Sequence, residues 1–207
     1  IGSEGTLGII TQVTLKLQPL PPYKIDMLAI FHDQMAAIGV VPQLVKAGID
    51  PTSIEYMDNP NVRTTSEYLE FPGAPHIEDG IYVIITIETF NEDELDMKME
   101  QASDICEAAG AVDVLEADER IWSMRRNCLE SVSLISKVCT TDDVVVPVDE
   151  MSDMIQYIIK TVAKYPFPLR INAHIGDGNL HIVLCKLDLS DEEWESELSR
   201  FTEEVYT

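Results

Sequence analysis

Apolar and polar positions along the chain follow two periods that take turns. The run Ile25-Asp26-Met27-Leu28-Ala29-Ile30-Phe31 fits extended chain, and so does Ile81-Tyr82-Val83-Ile84-Ile85-Thr86-Ile87-Glu88, which is β-branched enough for an interior strand. Between them, residues 35–46 carry apolar side chains at helical spacing, and Gly48 marks the end of that predicted helix. A second strand is predicted over 51–57. The polar, proline-containing stretch 59–80 reads as a long loop with a short helix around 65–69. Residues 92–109 form an amphipathic helix closed by Gly110, and 111–115 a further strand. Strand-helix-strand, twice over, is the order of a ferredoxin-like split βαβ unit. The expected fold class is therefore α+β, an antiparallel sheet with helices packed on one face.

The second half continues the alternation. A helix is predicted over 118–137, a short strand over 140–147 and an amphipathic helix over 149–164, whose stripe of Met151, Met154, Ile155, Ile158 and Ile159 belongs in a core. Residues 168–174 read as a strand ending at His174, and a second strand begins at His181 and runs to Cys185. A final acidic helix over 188–207 has Ser190 as its N-cap. At the other end, glycines 2, 5 and 8 build a turn that leads into an alternating strand over 13–17. Gln18-Pro19-Leu20-Pro21-Pro22 then reads as a stiff linker. The chain begins without Met, inside a motif, and stops before its last helix is closed. A domain cut from a longer protein is the expectation.

Charge and composition narrow the partners. Acidic side chains number 37 against 14 basic ones, a formal charge of -23, which argues against nucleic acid or an anionic membrane surface. With 45% hydrophobic residues the chain is long enough for a proper core, and no apolar run is long enough to span a bilayer. Cys106, Cys128, Cys139 and Cys185 are scattered without a close pair, which suits buried thiols in a reducing compartment, here the cytoplasm.

Chemistry concentrates in Asn172-Ala173-His174-Ile175-Gly176-Asp177-Gly178-Asn179-Leu180-His181. Two histidines face each other across a tight turn, with Gly176 and Gly178 supplying positive φ and Asp177 and Asn179 the turn hydrogen bonds. A rigid hairpin could present both imidazoles to one transition-metal ion, or simply carry two solvated histidines. A second candidate lies in Ile121-Trp122-Ser123-Met124-Arg125-Arg126, where helical spacing sets the Trp122 ring beside both arginines. A shielded guanidinium clamps carboxylates well, while a core-anchoring Trp with two surface arginines explains the same spacing.

Four pieces carry a family resemblance: Gly2-Ser3-Glu4-Gly5-Thr6-Leu7-Gly8-Ile9, Ile121-Trp122-Ser123-Met124-Arg125, Asp142-Asp143-Val144-Val145-Val146-Pro147, and His174 through His181. In this order they resemble the C-terminal cap domain of FAD-linked oxidases of the vanillyl-alcohol-oxidase type, in the D-lactate dehydrogenase, GlcD-like glycolate oxidase and D-2-hydroxyglutarate dehydrogenase group. The resemblance implies that residues 1–22 end an FAD-binding domain and its linker, and that 23–207 are a cap domain truncated before its C-terminus. It implies oxidation of a D-2-hydroxy acid to the 2-keto acid. Gly2, Ser3, Gly5, Thr6, Gly8 and Ile9 would border the flavin, His174 and His181 would ligate a divalent ion such as zinc, and Arg125 would bind the substrate carboxylate. Asn179 would hold the turn. The electron acceptor would be a quinone, an electron-transfer flavoprotein or an iron-sulfur subunit.

Two departures qualify the match. The Glu-His-Gly pattern that supplies the family's third ligand and base does not occur here, so both are expected beyond Thr207, and residues 1–207 alone are expected to be inactive. Val183 stands where the 2-hydroxyglutarate enzymes carry Asn, which points to a small monocarboxylate such as lactate or glycolate. Two other classes compete: a metal-dependent hydrolase or lyase with Asp177 near the histidines, and a ligand-sensing ferredoxin-like module without chemistry.

Overall fold

Seven strands form one antiparallel sheet in the computed structural model, which describes residues 5–206. In chain order the elements are β1 (Tyr23–Phe31), α1 (Gln34–Gly39), α2 (Val41–Lys46), β2 (Ser53–Met57), α3 (Asn59–Tyr68), β3 (Ile81–Thr89), α4 (Glu92–Ala108) and β4 (Asp113–Glu116). They continue with α5 (Glu119–Arg126), α6 (Cys128–Ser131), β5 (Cys139–Val145), α7 (Met151–Val162), β6 (Leu169–His174), β7 (Asn179–Cys185) and α8 (Asp191–Tyr206). The strand order is β4-β1-β3-β2-β6-β7-β5. Its first four strands are the split βαβ arrangement expected from the sequence, and β5-α7-β6-β7-α8 repeats most of it beside β2. The two halves meet where β2 pairs with β6, Glu55 opposite His174 and Met57 opposite Asn172.

The α+β class and the antiparallel sheet are as expected, but the helices occupy both faces. Alternate residues of β1 separate the layers. Met27, Ala29 and Phe31 join Ile38, Leu44, Ala102, Cys106, Ile155, Ile158 and Phe201 in the larger core, while Leu28 and Ile30 meet Val62, Ile121, Met124 and Cys128 in a second one. So α3, α5 and α6 cover the face that was expected to be bare. Strand β3 shows the cause. Every residue in it except Glu88 is buried, because a strand covered on both sides has no solvated face to alternate toward.

Three helices differ from their predicted extents, each for a local reason. The helix predicted over 35–46 splits around Val40 because Pro42 has no N–H to give the Ile38 carbonyl. Residues 59–68, expected to be mostly loop, are helical: Asp58 accepts from the Asn61 N–H at 2.9 Å as N-cap, and Pro60 sits in the first turn, where a missing N–H costs nothing. The helix predicted over 118–137 stops at Asn127, whose side chain donates to the Ser123 carbonyl at 2.8 Å and competes with the ladder. Ser190 and Glu193 form a reciprocal capping box at the start of α8, as the sequence indicated for Ser190.

The strand predicted over 13–17 is absent. Residues 8–20 are in neither strand nor helix, and Leu7, Ile9, Ile10, Val13, Leu15, Leu17 and Leu20 are all at least 64% exposed, so the alternation has no ladder partner among the described residues. No helix among them is long and apolar enough to cross a membrane.

Candidate functional site

His174 and His181 stand on neighbouring antiparallel strands and point to the face covered by α3, α5 and α6. Alternation dictates this, since Ile171, Ala173, Leu180 and Ile182 fill the larger core on the opposite side. The ring centroids are 5.1 Å apart at an interplanar angle of 82°. Two imidazoles sharing one tetrahedral ion at about 2.0–2.1 Å per nitrogen have centroids about 5 Å apart, so the spacing fits a shared ion.

Each ring is held by a carboxylate that the sequence reading missed. Glu55 lies opposite His174 in the β2–β6 ladder and meets its Nδ1 at 2.8 Å, and Asp143, opposite His181 in the β5–β7 ladder, meets that ring's Nδ1 in the same way. An imidazole that donates through Nδ1 carries its lone pair on Nε2, and a carboxylate partner makes that nitrogen a better ligand. Neither Nε2 has a hydrogen-bond partner among the described residues. The histidine side chains are 41% and 20% exposed, which leaves that edge of the row open. Cavities elsewhere are lined by other residues, Met27, Met99 and Val114 in one of about 530 Å³ and His32, Tyr56 and Asp79 in one of about 440 Å³.

Glu55 has a second partner. Arg125, reaching over from α5, brings Nη2 to 2.8 Å of the same carboxylate, and both side chains are about nine-tenths buried. The row thus runs Arg125, Glu55, His174, His181, Asp143 across four strands and one helix. The Arg125 Nε is buried without an oxygen acceptor among the described residues. Of the two readings of Trp122, the core-anchoring one fits: it packs against the smaller core with Lys24 Nζ 5.9 Å above its ring, while Arg126 pairs with Glu119 at the surface and Arg125, unlike the second surface arginine of that reading, is buried.

The hairpin turn is held at both sides. Gly178 has φ +75°, and a Cβ there would run into the Val146 carbonyl oxygen; its own carbonyl accepts from Val146 N at 3.0 Å. Gly176, also expected at positive φ, does not have it, and its N–H reaches the Ile54 carbonyl at 3.3 Å. Asn179, expected to hold the turn, begins β7 instead, with a buried Oδ1 that has no hydrogen-bond partner among the described residues.

Behind the row, Asp58 ties α3 to β6 by accepting from the N–H groups of Asn61 and Ile171 at 2.9 and 2.6 Å. Burial pushes its carboxyl up to about 6, against the pull of those two N–H groups and Arg170. Burial likewise pushes the Cys128 thiol, which lies toward Arg125, up to about 12.

Of the expected flavin-bordering residues, Gly2 and Ser3 lie outside the described residues. Gly5, Thr6, Gly8 and Ile9 are exposed, and the row includes none of them. Glu55 left a trace in the sequence as the charged member of Ile54-Glu55-Tyr56-Met57, but that pattern equally fits a solvated strand face. Asp143 was hidden in an acidic run.

Residues 20–207 match the family model described as FAD linked oxidases, C-terminal domain. Over 215 residues the chain is 34% identical to the D-lactate dehydrogenase of Anaerostipes hadrus, covering 100% of this chain and 45% of that protein. It is 31% identical over 198 residues to glycolate oxidase subunit GlcD of Bacillus subtilis (strain 168), covering 93% of this chain and 41% of that one. The chain thus spans less than half the length of these relatives. Its fold is shared with an alkyldihydroxyacetonephosphate synthase at a TM-score of 0.67 and 16% identity, over 100% of this chain and 43% of the other. With the family model matched from the linker to the last residue, the chain belongs to the FAD linked oxidases, of which it is the C-terminal domain.

Proposed function

We propose that this domain covers the substrate in an FAD-dependent dehydrogenase that oxidises a small D-2-hydroxy acid, of the lactate or glycolate type, to the 2-keto acid. The observation that carries the reading is the His174–His181 pair at 5.1 Å with both Nδ1 atoms engaged by carboxylates. When bound, FAD supplies the two-electron acceptor and a divalent ion such as zinc a Lewis acid for the hydroxyl.

The chain's own residues have separate tasks. His174 and His181 hold the ion through Nε2, and Glu55 and Asp143 keep those imidazoles in the ligating tautomer. Arg125, fixed on Glu55 by Nη2, offers the N–H groups of Nη1 to the substrate carboxylate. Val183, two residues beyond His181, is buried against Val132 and Cys185 and gives that side an apolar wall, which suits a short monocarboxylate. Gly2, Ser3, Gly5, Thr6, Gly8 and Ile9 border the flavin in this reading. No third His, Cys, Asp or Glu among the described residues gathers with the pair as a ligand set, so the third ligand and the base are assigned to the parent protein outside residues 1–207.

A hydrolase reading has less support. Both oxygens of Glu55 are engaged, by the His174 imidazole and by Arg125, which leaves that carboxylate nothing with which to activate water, and Asp143 already holds the His181 Nδ1 through one oxygen. The parent enzyme is placed in the cytoplasm, consistent with four free thiols, and passes electrons to an electron-transfer flavoprotein or an iron-sulfur subunit.

The test uses the full-length protein with its flavin, assayed with D-lactate and glycolate. His174→Ala and His181→Ala should each lower kcat/KM about 100-fold or more and remove close to one zinc per chain, while Cys185→Ala stays near wild type. Equal losses from all three, or a parent protein without flavin, would refute the reading.

A further inference from the structure

The other two histidines of the chain also meet. His32 follows the last residue of β1, and His76 lies in the turn before β3, yet their ring centroids are 5.8 Å apart. His32 Nε2 is 3.4 Å from Asp79 Oδ1, and His76 Nε2 is 3.6 Å from Asp113 Oδ2. One donor atom each from His32, His76 and Asp79 lies within 4.8 Å of the others. We propose that His32, His76 and Asp79, with Asp113 beside them, form a second site for a divalent transition-metal ion, independent of the His174–His181 row.

The backbone under this cluster is fixed. The carbonyl of His76 accepts from the N–H groups of Gly80 and Asp79 at 2.6 and 3.3 Å, and Asn59 Nδ2 donates to the carbonyls of Ile77 and Gly80 at 3.1 Å each. Tyr82 donates its hydroxyl to the Pro75 carbonyl. Gly80 is pressed so close that a Cβ there would stand 2.6 Å from the His76 carbonyl oxygen. His76 has φ +46°, a left-handed conformation uncommon for a residue with a Cβ, and these contacts hold it there. The ladder sets Asp113 opposite Ile30, on the strand beside the one that His32 follows.

The donor set selects the ion. Two imidazoles with two carboxylates suit zinc or nickel, whereas magnesium and calcium favour oxygen alone. Ligands at about 2.1 Å from an ion sit roughly 3.5 Å apart, so side chains now up to 4.8 Å apart must draw in by about 1 Å. Exposed side chains do this by rotation. His32 and Asp79 also line the cavity of about 440 Å³ with Gln34, Tyr56 and Asn59, so open coordination positions face water or a small ligand. The two carboxylates balance the charge of a dication.

Calorimetric titration with zinc chloride and with nickel chloride, on the wild type, two double variants and Asp79→Asn, tests the assignment. His76→Asn keeps a residue that tolerates the left-handed region, so it is paired with His32→Gln. This variant should lose one bound ion per chain, the pair His174→Gln and His181→Gln should retain that ion, and Asp79→Asn should weaken it about 10-fold. Equal thermal midpoints for wild type and the His32 and His76 variant confirm that the fold is intact. If that variant titrates like the wild type, the two pairs are plain surface contacts and the proposal fails. That result would leave the His174–His181 reading untouched.

Discussion

Glu55 stands directly opposite His174 in the β2–β6 ladder, and its carboxylate, more than nine-tenths buried, meets the imidazole Nδ1 at 2.8 Å. Since Arg125 closes on the same carboxylate from α5, Glu55 neutralises a buried guanidinium and orients a ring at once.

Glu55→Gln removes that charge and leaves Arg125 buried without a counter-ion. Breaking a buried pair from one side costs about 3–5 kcal/mol, and a glutamine that keeps some hydrogen bonding should land near the lower figure. Urea unfolding of the variant should show a loss of about 3 kcal/mol, with Arg125→Met in the same background recovering part of it. A change below about 0.5 kcal/mol would mean the pair is solvated after all.

Gly178 and Gly176 separate conformational need from mere proximity. Gly178→Ala places a Cβ against the Val146 carbonyl at positive φ and should cost more than about 2 kcal/mol, because strain and clash act together. Gly176→Ala meets only Ile54 at 3.4–3.5 Å, without positive φ, and should stay within about 1 kcal/mol of wild type. Thermal unfolding of both variants decides this, and equal midpoints would contradict it.

Asp58 gives the domain a pH dependence of defined sign. Its carboxyl has an ordinary value of 3.8 and is pushed up to about 6 in the fold, so the folded state binds the proton more tightly. The group's stabilising contribution is therefore fully present below pH 3.8 and is lost as pH rises through 6. At about 1.4 kcal/mol per pH unit that contribution is at most about 3 kcal/mol. The stability difference between wild type and Asp58→Asn should move against wild type by about 2 kcal/mol between pH 4.5 and 7.5. A difference that is flat with pH would show that the carboxyl titrates as in the unfolded chain.

Arg125→Lys keeps the charge and loses the planar fork. In the full-length enzyme the proposed carboxylate contact predicts a rise in KM of about 10-fold or more, with a smaller effect on kcat. An unchanged KM would assign Arg125 to Glu55 alone.

The amino-acid sequence by itself determined the order and type of most of the elements, α3 and the unpaired stretch 13–17 excepted, because a period of two or of 3.6 and a terminal glycine or capping serine are local properties. It placed β1, β3, α4 and the two-histidine hairpin close to where they stand, and the Gly178 turn with them. Tertiary structure decided what covers each face and which side chains meet. The continuous apolar run of β3 was visible, but that a second layer of α3, α5 and α6 was needed to bury it emerged only from packing. Glu55 and His174 are 119 positions apart, and no local pattern fixes the ladder that sets them face to face. A register one residue away would turn Glu55 into the larger core and leave His174 without its carboxylate, so pairing between distant strands, rather than the motif alone, makes the histidine pair a site.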